Sequence, residues 1–314
     1  MAKLDFGRIG VLMGGFSTER GISLKSGNAV LQSLKKQGLD AVALDIENNS
    51  LPQNIRLIKN SAIDVAFVAL HGCFGEDGQI QEILEGLEVP YTGSGVMASR
   101  LALDKIASRR IFQIHNLCVP RYAVIHRLTF HKGYGLWEKV FDFPVVVKPA
   151  NQGSSIGLSI TDSRKGLNKA LDLAFSLDET VLVEEYIRGR EMTVGILKNL
   201  ALPVVEIKPK NRFFDYRAKY TLGMTRYIVP AKIKDEESRR VKQHALAAHR
   251  FLGCEGFSRV DVILKDGCPY ILEVNTIPGL TETSLLPKAA KTAGITFDSL
   301  CLRLVKSAYE KKKN

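Results

Sequence analysis

The stretch SRVDVILKDGCPYILEVN, Ser258 to Asn275, reads as two β-rich runs joined by the turn signal Lys265-Asp266-Gly267. Side chains alternate along a strand, so Arg259 and Asp261 share one face of the first run, and Glu273 and Asn275 share one face of the second. Facing each other, they gather oxygen donors beside a fixed cation. Hard oxygen ligands suit Mg2+, which binds through one or two carboxylates and leaves room for substrate phosphates. The register carries a condition. For Asp261 to lie opposite Glu273, the loop is expected to hold an odd number of residues, three or five, because a two-residue Asp-Gly turn puts the acids on opposite faces. The plain alternative is a surface hairpin with a solvated charged face. Against it, the first run continues into Val262-Ile263-Leu264 and Asn275 leads into Pro278-Gly279, so the acids sit where a buried sheet meets a loop.

Upstream, the apolar run Phe143 to Val147 ends in Lys148 and is followed by Gln152-Gly153-Ser154-Ser155-Ile156-Gly157. Glycines let backbone N–H groups approach phosphate oxygens, the serine hydroxyls add donors, and Lys148 adds a point charge. The GxxxxGK[ST] pattern is absent and the loop leads into a strand, so this is no Walker A loop; an ordinary tight turn is the alternative to a phosphate cradle. Val183-Glu184-Glu185-Tyr186-Ile187, with Glu191 beyond it, is an acidic constellation at a bend between strands. Its backbone can meet an adenine edge while Glu191 accepts from a ribose diol, although alone it equally fits a solvated edge strand. Between Lys208 and Arg226 six basic residues stand against the single acid Asp215, as a lid over an anionic ligand would.

The first ninety or so residues alternate short apolar runs with helix-like segments: Ile9 to Met13, Ser23 to Gln37, Ala41 to Asp45, Val65 to Leu70, Gln79 to Leu87. That rhythm predicts βαβ units and a parallel sheet, with Ser23 or Ser26 capping the first helix. Two loops follow buried strands where open parallel sheets bind ligands, Gly14 to Arg20 with Glu19 and His71 to Gly78. Glu19 can equally complement a helix N-terminus, and His71 can be a structural histidine. Near Tyr91 to Gly95 the chain becomes turn-rich, which places a domain boundary there, and Met97 to Gln113 reads as one helical stretch containing Asp104 and Lys105. From Phe143 onward strands joined by glycine turns predict a mixed, largely antiparallel region.

Composition narrows the class. The 314 residues are 45% hydrophobic and 25% charged, the balance of a packed protein with room for two or three domains. No apolar run approaches the roughly 20 residues a membrane span needs, and the N-terminal residues read as strand and turn instead of a signal peptide, so a cytoplasmic protein is expected. Five scattered cysteines, without a CxxC pair, are read as reduced thiols. A net charge of +11 permits nucleic acid as a partner, but basic residues interleaved with aromatics are confined to one short stretch and no recognition module is present. A phosphate-rich small ligand satisfies the same charge.

Taken in order, GGFSTER, LHGCFGEDG, ALDK, VVVKPANQGSSIG, VEEYIRGRE, DYRAKY, SRVDVIL and LEVNTIPGLTETSL resemble the ATP-grasp superfamily, and within it the D-alanine–D-alanine ligase family, over nearly the whole chain. The resemblance implies an α/β fold of three domains: residues 1–95, Rossmann-like with a parallel sheet and the first D-alanine site; 96–185, with the glycine-rich phosphate loop; and 186–314, with the metal site, the lid and the second D-alanine site. The last two clasp ATP. It implies nucleotide contacts from Lys105, Lys148, Ser154, Ser155, Glu184, Glu185, Ile187, Glu191 and Lys219, and Mg2+ ligation by Asp261, Glu273 and Asn275, with two ions and Mn2+ as a substitute. Glu19 and His71 match positions near the first D-alanine; Arg259, Gly279, Ser284 and Leu285 match those near the second. The implied reaction joins two D-alanines through a D-alanyl phosphate for peptidoglycan precursor synthesis, releasing ADP and phosphate. A homodimer is implied too. Tyr220, linked in the family to Glu19 and Ser154, goes with D-alanine instead of D-lactate as second substrate. Gly21 and Arg217 stand where relatives often carry acids, which touches lid behaviour more than reaction class. A nucleotide-binding module without catalysis is disfavoured by the intact set Arg259, Asp261, Glu273 and Asn275.

Overall fold

A computed structural model of the protein describes residues 5–130, 141–210 and 224–311. Strand β1 (Ile9–Gly14) is buried at every position, as the centre of a parallel sheet covered on both faces must be. It pairs in parallel with β2 (Ala41–Ile46) and β3 (Val65–Val68), in the order β2-β1-β3. Alternation decides the two faces. Val11, Met13, Val65 and Phe67 enter one core, and Leu12, Leu44, Ala66 and Val68 enter the other. Helix α1 (Arg20–Lys36) covers the first face, α2 (Leu51–Asn60) and α3 (Gln79–Gly86) the second.

Two sequence expectations about helices need correction. Ser23 and Ser26 do not cap α1, which begins at Arg20 with Glu19 in the cap position. Both serines are buried within the helix and bond outward, Ser23 Oγ to the Ala69 carbonyl at 2.8 Å and Ser26 Oγ with His71 Nε2 at 3.1 Å. The stretch from Met97 to Gln113 is two helices, α4 (Val96–Leu103) and α5 (Lys105–Ile114). Asp104 breaks it with an extended ψ of 101°, and its carboxylate accepts from the N–H groups of Ile106 and Ala107, a standard N-cap.

A four-stranded antiparallel sheet follows in the order β4 (Tyr122–His126), β7 (Thr180–Glu185), β5 (Val145–Pro149), β6 (Ser159–Thr161). Val145, Val147, Val181 and Val183 point into a core with Leu171 and Phe175 of α6 (Arg164–Phe175). The alternate positions, Lys148 and Glu184 among them, therefore project from the opposite face.

The third sheet runs β11 (Thr225–Ile228), β10 (Val205–Pro209), β8 (Arg190–Leu197), β12 (Phe257–Lys265), β13 (Cys268–Asn275), with β9 (Leu200–Ala201) on β8. One face packs Met192, Val194, Val260, Val262, Ile271 and Val274 against Val241 and Ala245 of α7 (Asp235–Phe251), and Ala102 and Phe112 of α4 and α5 join that core. Helices α8 (Leu285–Thr292) and α9 (Phe297–Lys311) pack Leu286, Leu300 and Leu304 into the core behind β1, uniting the ends of the chain.

All five cysteines are free thiols. Among the described residues no helix is long and apolar enough to cross a membrane.

Candidate active site

The Ser258–Asn275 hairpin does set Asp261 opposite Glu273, and Arg259 opposite Asn275, but not by the expected device. Lys265 pairs with Cys268, so the turn is the two-residue Asp266-Gly267, both left-handed at φ 49° and 75°. That is the geometry of a type I′ hairpin. The register is restored by a bulge: Val262 pairs with Ile271 while Asp261 pairs with Glu273, leaving Leu272 as the extra residue. Ile271 and Val274 face the core, and Leu272 and Glu273 both line the cavity on the other side.

Asp261 is nearly buried and tightly held. Arg259 forks onto it, Nε to Oδ1 at 2.9 Å and Nη2 to Oδ2 at 2.7 Å, while Thr193 Oγ1 donates to Oδ1 at 2.6 Å and Asn275 Nδ2 to Oδ2 at 3.3 Å. Glu273 meets no protein cation among the described residues and faces the cavity. Two carboxylates and the Asn275 amide oxygen make the oxygen-only set that Mg2+ favours. No cluster of three or more His, Cys, Asp and Glu exists among the described residues, so substrate oxygens would have to complete a metal shell here.

The cavity, about 640 Å3, lies between the four-stranded and six-stranded sheets, within the usual size for a small-molecule site. Lys148, Ser155, Glu184, Ile187 and Glu191 line it together with Asp261 and Glu273. Lys148 Nζ lies 2.7 Å from Glu184 Oε2, and Arg109 Nη2 lies 2.6 Å from Glu184 Oε1, with all three residues buried. Burial, reinforced by the nearby Arg109 charge, pushes the Lys148 ammonium down to about 8. Burial also opposes the charge on Glu184, but Arg109 and Lys148 outweigh it and hold the carboxylate below its ordinary range.

In the glycine-rich loop Ser154 and Ser155 both take left-handed φ, 51° and 59°, as the central residues of a tight turn closed by the Ile156 N–H donating to the Gly153 carbonyl at 3.0 Å. Lys105, buried at the start of α5, donates from Nζ to the Gln152 carbonyl. Ser154 Oγ donates to Glu19 Oε1, joining the loop to the N-terminal sheet. Glu185, in contrast, turns partly away to Arg121, which it meets at 2.8 Å.

His71 is buried with both ring nitrogens engaged: Nδ1 is 2.9 Å from the Ile277 carbonyl and Nε2 is 3.1 Å from Ser26 Oγ. The Nδ1–H tautomer satisfies both, so the ring anchors the loop after β13 to α1. Glu76, which lies in the His71 to Gly78 loop but is assigned no role from sequence, is 3.5 Å from His71 Nδ1, and it shares a small cavity with Lys105, Gly153, Glu273 and Asn275. Burial first, then the Glu19 charge, push the Glu76 carboxyl up. Gly75 precedes it with no room for a side chain: a Cβ there would lie 2.4 Å from the Leu70 carbonyl oxygen. Gly75→Ala is expected to destabilise the protein by about 1–3 kcal/mol, since backbone must move to admit the methyl, and urea denaturation measures it.

Ser284 stands at the N-cap position of α8, with Leu285 the first residue of the helix; its Oγ makes no capping bond but accepts from the Thr281 N–H at 3.1 Å and sits against Gly279. Lys219 and Tyr220, with Arg217 and most of the basic segment expected to form a lid, lie outside the described residues.

Family models match in two blocks, the D-ala D-ala ligase N-terminus over residues 48–94 and the D-ala D-ala ligase C-terminus over residues 111–306. The D-alanine–D-alanine ligase of Geotalea uraniireducens is 48% identical over 302 residues, covering 96% of this chain and 95% of that one. Among solved structures, that of the D-alanine–D-alanine ligase from Bacillus anthracis complexed with ATP superposes with a TM-score of 0.86 at 34% identity, covering 98% of each chain. The VanG D-Ala:D-Ser ligase of Enterococcus faecalis gives a TM-score of 0.83 at 29% identity, over 96% of this chain and 99% of that one.

Proposed function

The chain belongs to the D-alanine–D-alanine ligase family, and we propose on that premise that the cavity between its two antiparallel sheets joins two D-alanine molecules with ATP, for peptidoglycan precursor synthesis. The observation that carries this reading is the two-sided wall of the cavity, with Lys148, Ser155 and Glu184 on one side and Asp261 and Glu273 on the other. A carboxylate is a poor electrophile. Moving the ATP γ-phosphoryl group onto the first D-alanine gives a D-alanyl phosphate and ADP, and the amine of the second D-alanine then displaces phosphate. Lys148 and the N–H groups around Ser154 and Ser155 would neutralise the phosphoryl oxygens in transfer. Mg2+, held by Asp261, Glu273 and Asn275, would add charge stabilisation at those oxygens.

Lys105, Glu184, Glu185, Ile187, Glu191 and Lys219 would hold the nucleotide, and Glu19 and His71 would shape the first amino-acid site. Through Ser154, Glu19 couples that site to the phosphate loop, a link that Tyr220 would complete. Arg259 and the Gly279 N–H would stabilise the tetrahedral oxyanion, and the N-terminus of α8 at Ser284 and Leu285 would receive the second carboxylate. The same reading takes residues 1–95, 96–185 and 186–314 as three domains, the first Rossmann-like and the last two clasping ATP. It includes two metal ions with Mn2+ as a substitute, a homodimer and a cytoplasmic location.

Phosphate release from Mg-ATP with D-alanine, L-alanine or no amino acid, with the dipeptide assayed in parallel, tests the reading. D-alanine alone should support release, matched by D-alanyl-D-alanine. ATP binding without D-alanine-dependent turnover would move the substrate elsewhere, and D-serine or D-lactate outcompeting D-alanine in the second position would change the product.

A further inference from the structure

Arg109 is fully buried, yet no motif points to it. It lies one turn beyond Lys105 on α5, on the same helix face. A guanidinium withdrawn from water is rare unless its partners compensate the lost hydration. Its Nη1 donates to the Leu272 carbonyl at 3.0 Å, and its Nη2 is 2.6 Å from Glu184 Oε1. The second contact is ionic and off-axis: among the described residues neither of its atoms has a well-aligned hydrogen bond.

The first contact falls at a particular place. Leu272 is the extra residue of the β13 bulge, with no partner of its own on β12, and its carbonyl takes the Arg109 guanidinium as donor. Without the bulge, a strand paired from the Asp266-Gly267 turn would set Leu272 opposite Asp261 and send Glu273 into the core. We propose that Arg109 is a positioning residue for the ligase reaction: by holding the Leu272 carbonyl it fixes the bulge that turns Glu273 to the side of Asp261, and through Glu184 it ties that strand to Lys148.

This inference rests on the proposed roles of Glu273 and Asp261 at the metal and Lys148 at the phosphates. Arg109 spans from the four-stranded sheet to the six-stranded one, so a single rigid fork sets the metal-side strand against the phosphate-side lysine. A lysine could keep a charge beside Glu184 but could not fork to both partners. A residue that merely stabilises the fold would lower the melting temperature when replaced and leave the metal requirement of the folded enzyme unchanged.

The test compares Arg109→Lys and Arg109→Met with wild type in three readouts: melting temperature, the Mg2+ concentration for half-maximal turnover, and ADP affinity by calorimetry with and without Mg2+. Arg109→Lys is expected to fold with a modest drop in melting temperature, because the Leu272 carbonyl loses its donor, to need about 10-fold more Mg2+, and to lose most of the Mg2+-dependent gain in ADP affinity, with metal-free ADP affinity preserved. Arg109→Met should show the same metal defect and a lower melting temperature. A wild-type Mg2+ requirement and wild-type ADP response in Arg109→Lys would overturn the proposal, and this variant decides the matter even if Arg109→Met does not fold. Failure of the underlying reading looks different: wild type itself would show no Mg2+-dependent gain in ADP affinity.

Discussion

Glu273→Ala is expected to lower D-alanine-dependent turnover by about a thousandfold or more while leaving metal-free nucleotide binding and the fold intact. The asymmetry between the two facing carboxylates is the reason. Asp261 is already neutralised by the Arg259 fork and held by Thr193 and Asn275, so much of its charge is spoken for within the protein. Glu273 has no protein cation among the described residues and points into the cavity, which leaves its charge for a bound cation. Removing it takes away the less compensated ligand, whereas removing Asp261 would also take away the carboxylate that Arg259 forks onto and mix metal loss with a local rearrangement. Because the side chain faces the cavity and not the core, stability should change by about 0.5 kcal/mol or less. Stopped-flow phosphate release with calorimetric ADP titration in EDTA separates the effects. Turnover within tenfold of wild type at saturating Mg2+ would remove Glu273 from the metal site.

How the sequence reports this corner can be followed through three residues. The facing of Asp261 and Glu273 was legible because period two and the charged pattern leave few alternatives. Leu272 was not: Ile271, Leu272 and Val274 are all apolar, so composition alone does not tell which of them leaves the core. The skipped count lies in the combination of an Asp-Gly turn with acids that need one face, and a bulge resolves that conflict as well as a longer loop does. Asp104 was legible in kind, since an aspartate before a helix is a preferred N-cap, but the apolar rhythm runs across it and hides the break. Arg109 carried a weak signal. Lys105, Ser108, Arg109 and Phe112 fall on one helix face, and a charge on the face that holds a buried phenylalanine is out of place in a solvated helix. A single arginine in such a helix is more often a snorkelling surface residue, so the pattern becomes informative only once Glu184 is known to lie opposite. The parallel N-terminal sheet, by contrast, is spelled out by fully apolar strands separated by helical periods.

Glu184→Gln should produce the largest loss of stability of any cavity-lining substitution, about 3–5 kcal/mol at neutral pH, because it leaves two buried cations, Arg109 and Lys148, without their shared carboxylate. The protein can relieve this by releasing a proton from Lys148. In wild type burial has brought that group down to about 8, and the Glu184 charge is what keeps it from falling further. With glutamine in place, Lys148 is expected to be largely neutral at pH 7, so turnover falls with the loss of the phosphate-neutralising charge and recovers in part as the pH is lowered toward 6. The stability profile separates the variant from a simple packing defect. Glu184 has a folded value below its unfolded value of 4.5, so its stabilisation is complete above the unfolded value and is lost as pH falls through the folded one. Glutamine removes that acid-side slope. Lys148 acts at the other end: its folded value is about 8 against 10.5 unfolded, so the unfolded chain binds more protons between them and wild-type stability gains from this group as pH rises across that window. In Glu184→Gln the window opens at lower pH, so the variant's deficit should be greatest below neutrality and narrow at pH 9. Urea denaturation at pH 5, 7 and 9 reads the Lys148 slope, and a further point at pH 3 reads the Glu184 one. A deficit below about 1 kcal/mol that does not vary across these pH values would mean that Glu184, Arg109 and Lys148 are not coupled as a buried charge cluster.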